Sequence, residues 1–379
     1  MVVAVVNRFF WRRGAVPSVA RGWADNLEKA GHRVVVFASD VSPDQDTPTR
    51  SYLAVRLGGV KWFDAGAFAF AWRLARALLR ERARRPDAIL CLDSTAYFGA
   101  WLAGRLLRIP AIMAFQGWVY SPGKRGLYPK SAELAYKLSV HFCARLAPAI
   151  GCLSREIEEG LRVRGARPER LWYAPNCIDL EFWKTDKTAP HERQEKIILY
   201  VGRFSREKGL RYLLEALPQV VRRVPSARAV LVGGEEGEDG PFHLMARRLG
   251  VASHVEFAGI LPRDRLPPVY ANADILVFPS LAEGHPLTPM EALGCGTPVV
   301  ASDIPGLNET IEHEVNGLLV PPADPRSLAE AICRVLSDRA LLERLTRAAR
   351  PSVARFAWER RIAELEAFCE RLPRPGGRG

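Results

Sequence analysis

No apolar run in this sequence reaches the roughly 20 residues that a bilayer-spanning helix needs. The most apolar candidate, AGAFAFAWRLARALL, is cut by Arg73 and Arg76. The amino terminus MVVAVVNRFF has no basic region ahead of its apolar residues, so it reads as a first strand rather than a signal peptide. Cysteine is sparse and scattered: Cys91, Cys143, Cys152, Cys177, Cys295, Cys333 and Cys369 form no CxxC pair and no Cys/His cluster. That pattern speaks against zinc and a disulfide scaffold and for a reducing cytosol. Internal repeats are lacking too, as is low complexity beyond the tail PRPGGRG. Net charge is missing from the second half, where residues 186–379 carry 26 Lys+Arg and 26 Asp+Glu.

The first half, residues 1–185, holds 28 Lys+Arg against 16 Asp+Glu, and so the entire excess of +12. Such a field concentrates anionic partners: acidic phospholipid, a lipid diphosphate, an acidic glycan or nucleic acid. No nucleic-acid-binding motif accompanies it, so nucleic acid is not an expected partner. At 379 residues, 48% hydrophobic and 25% charged, the chain has the composition of a globular protein of two domains. The expected location is cytoplasmic, with peripheral contact at the inner membrane face.

Short apolar runs alternate with helical patterns, the βαβ signature of doubly wound parallel sheets. Strands are expected at Val2–Val6, Arg33–Ala38, Ala88–Asp93, Ala111–Phe115 and Leu171–Asn176 in the first half. In the second half they are expected at Lys196–Gly202, Ala227–Gly233, His254–Gly259, Ala273–Phe278 and Thr297–Ser302. The polar, aperiodic stretch 181–196 reads as a linker. The expected division is 1–183 for an acceptor-binding domain and 184–350 for a donor-binding domain, with 351–379 a helix returning to the first domain plus a tail.

In the second half, glycines and polar residues collect after successive strands, where a parallel sheet binds ligands. Glu283 and Glu291, with seven residues between them, lie in PSLAEGHPLTPMEALGCGTPVVAS. Glu283 falls in the loop after a strand, and Glu291 near the start of a helix that has Pro289 in its first turn. The unpaired amides of Leu287 and Thr288, with the helix dipole, suit a diphosphate. Two carboxylates beside a phosphate site suit sugar or ribose hydroxyls. Either glutamate alone reads as structural; the spacing and the strand–loop–helix context favour a nucleotide-sugar pocket. Arg203 and Lys208, in a loop bounded by Gly202 and Gly209, can neutralise a pyrophosphate leaving group. Alone they read as solvated loop charges. Asp44-Gln45-Asp46, a DxD, sits in a turn-rich stretch and reads as a solvated loop rather than a metal site.

Taken together, VGRFSREKG, EGHPLTPMEALGCGTPVVAS, APNCIDLEFW and FAWERRIAELEAFCERL resemble glycosyltransferase family 4. The resemblance covers nearly the whole chain. It implies an α/β GT-B fold of two Rossmann-like domains, doubly wound around parallel sheets and facing across a cleft. It also implies a retaining, metal-independent transferase with a nucleotide-diphosphate sugar as co-substrate and no cofactor. On matching positions it implies that Arg203 and Lys208 hold the diphosphate, Glu283 the donor sugar and Glu291 the ribose. Gly284, His285, Leu287 and Thr288 would complete the donor loop. Gly259, Ile260 and Leu261 would lie near the base, and Gly14 would let the first domain's loop approach the diphosphate. Glu283, Arg203 and Lys208 are the expected catalytic residues.

Departures from the family pattern are visible. Arg13-Gly14-Ala15 stands where many relatives have a double glycine, and Gln116 where many have a histidine. Cys177 stands where a PNG-type turn has glycine, and GGEEGED replaces a commoner glycine-rich turn. Acceptor contacts are expected in QGWVYSPGKRGLYPK, from Gln116, Trp118, Tyr120, Lys124 and Arg125. The stretch 66–85, with Phe68, Trp72, Ala75 and Leu79 beside Arg73, Arg76, Arg80 and Arg84, reads as a core helix with a charged outer face; a helix lying on an anionic membrane is the competing reading. The leading functional reading is transfer of a hexose from a UDP- or GDP-sugar to a glycan or lipid-linked glycan. The alternatives are a nucleotide-sugar epimerase or hydrolase on the same scaffold, and a non-catalytic anionic-surface-binding protein.

Overall fold

A computed structural model describes residues 1–7, 10, 15–39, 53–57, 65–80, 86–94, 96–117, 120, 130–234 and 240–372. The chain divides into two units, Met1–Cys177 with Trp358–Gly379, and Ile178–Ala357.

The first unit starts with β1 (Val2–Val6), α1 (Ala15–Lys29), β2 (Arg33–Ala38), β3 (Leu53–Arg56), α2 (Ala65–Arg80) and β4 (Ala88–Cys91). It continues with α3 (Tyr97–Leu107), β5 (Ala111–Ala114), α4 (Lys130–Leu146), β6 (Ala149–Cys152), α5 (Arg155–Arg162) and β7 (Leu171–Tyr173). The strands form one parallel sheet in the order β3-β2-β1-β4-β5-β6-β7, reversing direction of travel between β1 and β4. The four residues of each of β4, β5 and β6 are all buried. Helices therefore cover both sheet faces, and continuous apolar runs, not alternating ones, mark these strands.

The second unit runs β8 (Lys196–Val201), α6 (Leu210–Arg223), β9 (Ala227–Val232), α7 (Pro241–Arg248), β10 (Val255–Gly259) and α8 (Leu266–Asn272). It continues β11 (Ile275–Phe278), α9 (Leu287–Gly294), β12 (Val299–Ser302), β13 (Gly317–Val320), α10 (Pro325–Ser337) and α11 (Arg339–Val353). Its parallel sheet has the order β10-β9-β8-β11-β12-β13, with the reversal between β8 and β11. A final helix, α12 (Trp358–Arg371), belongs to the first unit. There Trp358 meets Trp23 edge-on at 5.3 Å and Phe368 stacks on Trp172 at 5.4 Å.

Three strands go beyond the sequence reading: β3, β6 and β13. Each carries a residue that weakens a strand pattern: LAVR ends on arginine, and AIGC and GLLV contain glycine. The apolar stripe of α2 also differs from the expected one. Phe70, Ala71, Leu74, Ala75 and Leu78 are buried, whereas Trp72 is 60% exposed. Arg73, Arg76 and Arg80 are exposed as expected. The helix uses its apolar face in the core and crosses α3 closely, since a Cβ added at Gly99 would lie 2.0 Å from the Ala71 carbonyl oxygen. Phe68's side chain, Arg84 and the Asp44–Asp46 motif lie outside the described residues.

Candidate active site

The carboxyl edge of the second sheet is built by close backbone approach. A Cβ at Gly233, after β9, would lie 1.9 Å from the Gly202 carbonyl oxygen, and one at Gly209 would lie 1.9 Å from that of Pro279. Gly209 also has φ +67°, the left-handed region that glycine tolerates. The turn after β8 is thus seated directly on the loop after β11. Two further links join them: the Leu281 amide donates to the Glu207 carbonyl at 2.8 Å, and Lys208 Nζ lies 2.6 Å from Glu283 Oε1.

The Lys208–Glu283 pair is the electrostatic centre of this edge. Glu283 is 9% exposed, and the Lys208 ammonium lies 5.3 Å from the Phe278 ring centroid. A pair so shielded interacts more strongly than one in open water. Arg203 is placed differently. Its side chain is 74% exposed and pairs with Glu207 four residues on, while its carbonyl accepts from the Tyr200 hydroxyl at 2.9 Å. Burial, then Glu283, pushes the Tyr200 phenol well above its usual range, so it stays a neutral donor. Arg203 and Lys208 thus each have a carboxylate partner.

Helix α9 begins at Leu287 after an extended Pro286, so its first amides point toward the loop that carries Glu283. Pro289 is buried within its first turn. One turn further in, Glu291 is half-buried and accepts from the Tyr270 hydroxyl at 2.9 Å. Burial raises its carboxyl above the ordinary value, against the opposing pull of the Tyr270 hydrogen bond and Arg263. The Arg263 guanidinium is itself stacked 4.4 Å from the Phe182 ring. Tyr270 and Arg263 were not anticipated from the sequence. They sit on and before α8, distant along the chain from the glutamates, and neither lies in a motif.

The remaining donor-loop residues split into two groups. Gly259 (φ +68°) ends β10, and Ile260, 71% exposed, and Leu261 follow it. Gly284 lies under the loop after β12: a Cβ at Gly306 would come 2.2 Å from its carbonyl oxygen. His285 is 2% exposed; its Nε2 lies 3.1 Å from Thr310 Oγ1 and its ring meets Phe356 edge-on at 5.1 Å. Its imidazole packs inward rather than at the loop surface.

In the first unit, Gln116 follows β5, the fifth strand in chain order, because β3 precedes it. Its Nε2 donates weakly to the Ala114 carbonyl at 3.4 Å. Tyr120 has the Arg164 guanidinium 3.6 Å from its ring centroid, so one aromatic face is already covered. Gly14, Trp118, Lys124 and Arg125 lie outside the described residues. Among the described residues no three His, Cys, Asp or Glu side chains converge as metal ligands, and no helix is long and apolar enough to cross a membrane.

Two parallel doubly wound units, each with its own switch point, define an α/β protein of the GT-B type. Residues 14–177 match the glycosyl transferase 4-like domain, and residues 181–352 match glycosyl transferases group 1. An uncharacterized glycosyltransferase of Methanocaldococcus jannaschii is 39% identical over 363 residues, covering 91% of each chain. Sucrose-phosphate synthase from Thermosynechococcus elongatus superimposes with a TM-score of 0.80 at 24% identity, covering 98% of both chains. The Anabaena protein HepE in complex with UDP and glucose gives 0.76 at 21% identity, covering 98% of this chain and all of that one. The chain belongs to glycosyltransferase family 4 and is a glycosyltransferase.

Proposed function

We propose that the enzyme is a retaining, metal-independent hexosyltransferase. It moves a hexose from a UDP- or GDP-sugar to a glycan or lipid-linked glycan, in cell-surface polysaccharide or glycolipid synthesis. The observation that carries this reading is the Lys208–Glu283 pair at 2.6 Å beside the first turn of α9. It sets a cation for phosphate next to a carboxylate for sugar hydroxyls, at the sheet edge where ligands bind. The bound UDP and glucose of the Anabaena protein support a donor of this chemistry.

In this reading the diphosphate takes Lys208, Arg203 and the amides of Leu287 and Thr288. Glu283 accepts from the sugar hydroxyls, and Glu291, steadied by Tyr270, accepts from the ribose. Gly259, Ile260 and Leu261 border the base, and the Gly284–His285 backbone closes the donor loop. Acceptor contacts are assigned to the first unit, at Gln116, Trp118, Tyr120, Lys124 and Arg125. The bond from the anomeric carbon to the β-phosphate oxygen breaks, and the acceptor oxygen bonds to the same face. The acceptor's proton passes to the departing phosphate oxygen, and the nucleoside diphosphate leaves. Cations and helix amides aimed at the leaving group lower this barrier without a protein nucleophile.

Slow hydrolysis of UDP- and GDP-hexoses, with water as acceptor and excess EDTA present, tests the reading by proton NMR. From an α-linked donor the first hexose released should be the α anomer. Release of the β anomer would contradict retention. Turnover that appears only on adding magnesium would contradict metal independence.

A further inference from the structure

Several exposed apolar side chains of the first unit lie on three of its helices. Trp72 on α2, Phe98 and Leu106 on α3, and Leu134, Leu138 and Leu146 on α4 are each between 45% and 63% exposed. On α4, Leu134, Leu138, Phe142 and Leu146 recur every fourth residue and so share one face. On α3, Phe98, Trp101 and Leu102 share another. The two faces join. The Phe142 ring lies 5.6 Å from Phe98 and 5.3 Å from Trp101, and the Trp101 indole donates to the Leu146 carbonyl at 3.1 Å. Ala100, Ala103 and Leu107 of α3 and Val140, Cys143 and Ala144 of α4 are buried in the core, with Trp101 and Phe142 packed partly against it, while Phe98, Leu134, Leu138 and Leu146 stay exposed.

The charge described on and beside these two helices is mainly basic: Arg105, Arg108, Lys130, Lys137 and Arg145 against Glu133, which is paired with Lys137. Arg105 lies 5.6 Å from the Trp101 ring centroid, and Arg105, Arg108 and Arg145 are exposed. Apolar and aromatic side chains rimmed by arginine match the boundary between anionic headgroups and acyl chains. A second copy of the chain is a poorer match, since a two-fold contact through this face would set the arginine rim against itself.

We propose that the α3–α4 face docks on the surface of an anionic lipid bilayer. Phe98, Leu134 and Leu138 enter the headgroup boundary, and Arg105, Arg108 and Arg145 meet lipid phosphates. The surface belongs to the first unit and the donor edge to the second, and the inference does not depend on the donor or acceptor assigned above.

Co-sedimentation with phosphatidylcholine vesicles, with and without phosphatidylglycerol, tests it on the full chain. Partitioning onto the anionic vesicles should be at least tenfold stronger and should fall with added salt. Leu134→Glu with Leu138→Glu, and separately Arg105→Glu with Arg145→Glu, should each lower it at least tenfold while keeping the wild-type unfolding transition. Should either pair fail to fold, brominated phosphatidylglycerol vesicles provide a second readout. They should quench wild-type tryptophan fluorescence, and less so in Trp101→Phe. Equal partitioning onto neutral and anionic vesicles, or absence of quenching, would overturn the proposal. So would a wild-type dimer that the leucine variants convert to monomer, which would assign the face to a second copy.

Discussion

Glu291 and Glu283 sit in one motif yet in different environments. Glu283 has an ammonium at 2.6 Å. Glu291 has a neutral phenol donor, and burial holds its carboxyl above the ordinary 4.5. A raised folded value means that the folded state holds its proton more tightly than the unfolded chain does. Ionised Glu291 therefore costs stability above that raised value, and the cost disappears as pH falls through it toward 4.5. Ribose hydroxyls, by contrast, need the carboxylate. Nucleotide affinity should fall as pH drops through that raised value, while Glu291→Gln should bind more weakly but without that pH dependence. Titration calorimetry with UDP or GDP at several pH values checks this. Little of the contrast was legible in the sequence, which gives the spacing of the two glutamates but not Tyr270 or Arg263.

At the scale of elements, the donor edge depends on turns that leave no room for a side chain. Gly209→Ala would combine a left-handed φ of +67° with a Cβ 1.9 Å from a carbonyl oxygen. We expect a loss of about 2 kcal/mol or more, a fall of roughly 4–8 °C in Tm for a unit of this size. Gly250→Ala is the control, with φ +70° and nothing within 4 Å of the added Cβ. It should show the strain without the clash, and thermal unfolding of the two variants separates the contributions. Gly202 and Gly209 were readable as the bounds of a close-approach loop, because glycine after an apolar strand has few other uses. Strands β3, β6 and β13 were not, since LAVR ends on arginine and AIGC and GLLV contain glycine, which breaks the apolar, β-branched pattern that marked the others. The α2 stripe was misread by one helical face: Trp72 is apolar and correctly spaced, but packing against Gly99 turns Ala71 and its neighbours inward.

At the scale of the whole molecule, alternation of apolar runs and helical patterns was enough to read two parallel α/β units, because the central strands of both sheets are buried on both faces. The fate of the last helix rested on likeness to the family. It is held in the first unit by contacts that no local pattern announces: Trp358 against Trp23, Phe368 on Trp172, and Arg361 donating to the Tyr173 carbonyl at 3.0 Å. The charge division is the reverse case, plain in the sequence. The basic excess lies in residues 1–185, whereas the candidate donor edge, with its paired cations and carboxylates, lies in the electrically neutral half. The central claim is that this edge holds a nucleoside diphosphate through Lys208 and Glu291. A thermal-shift titration with UDP, GDP and ADP, repeated on Lys208→Ala and Glu291→Ala, tests it most directly. One diphosphate at about a hundred times its Kd should stabilise the wild type by roughly 2.7 kcal/mol, and both variants should lose that shift. An unchanged shift in both variants, or none with any diphosphate in the wild type, would contradict it.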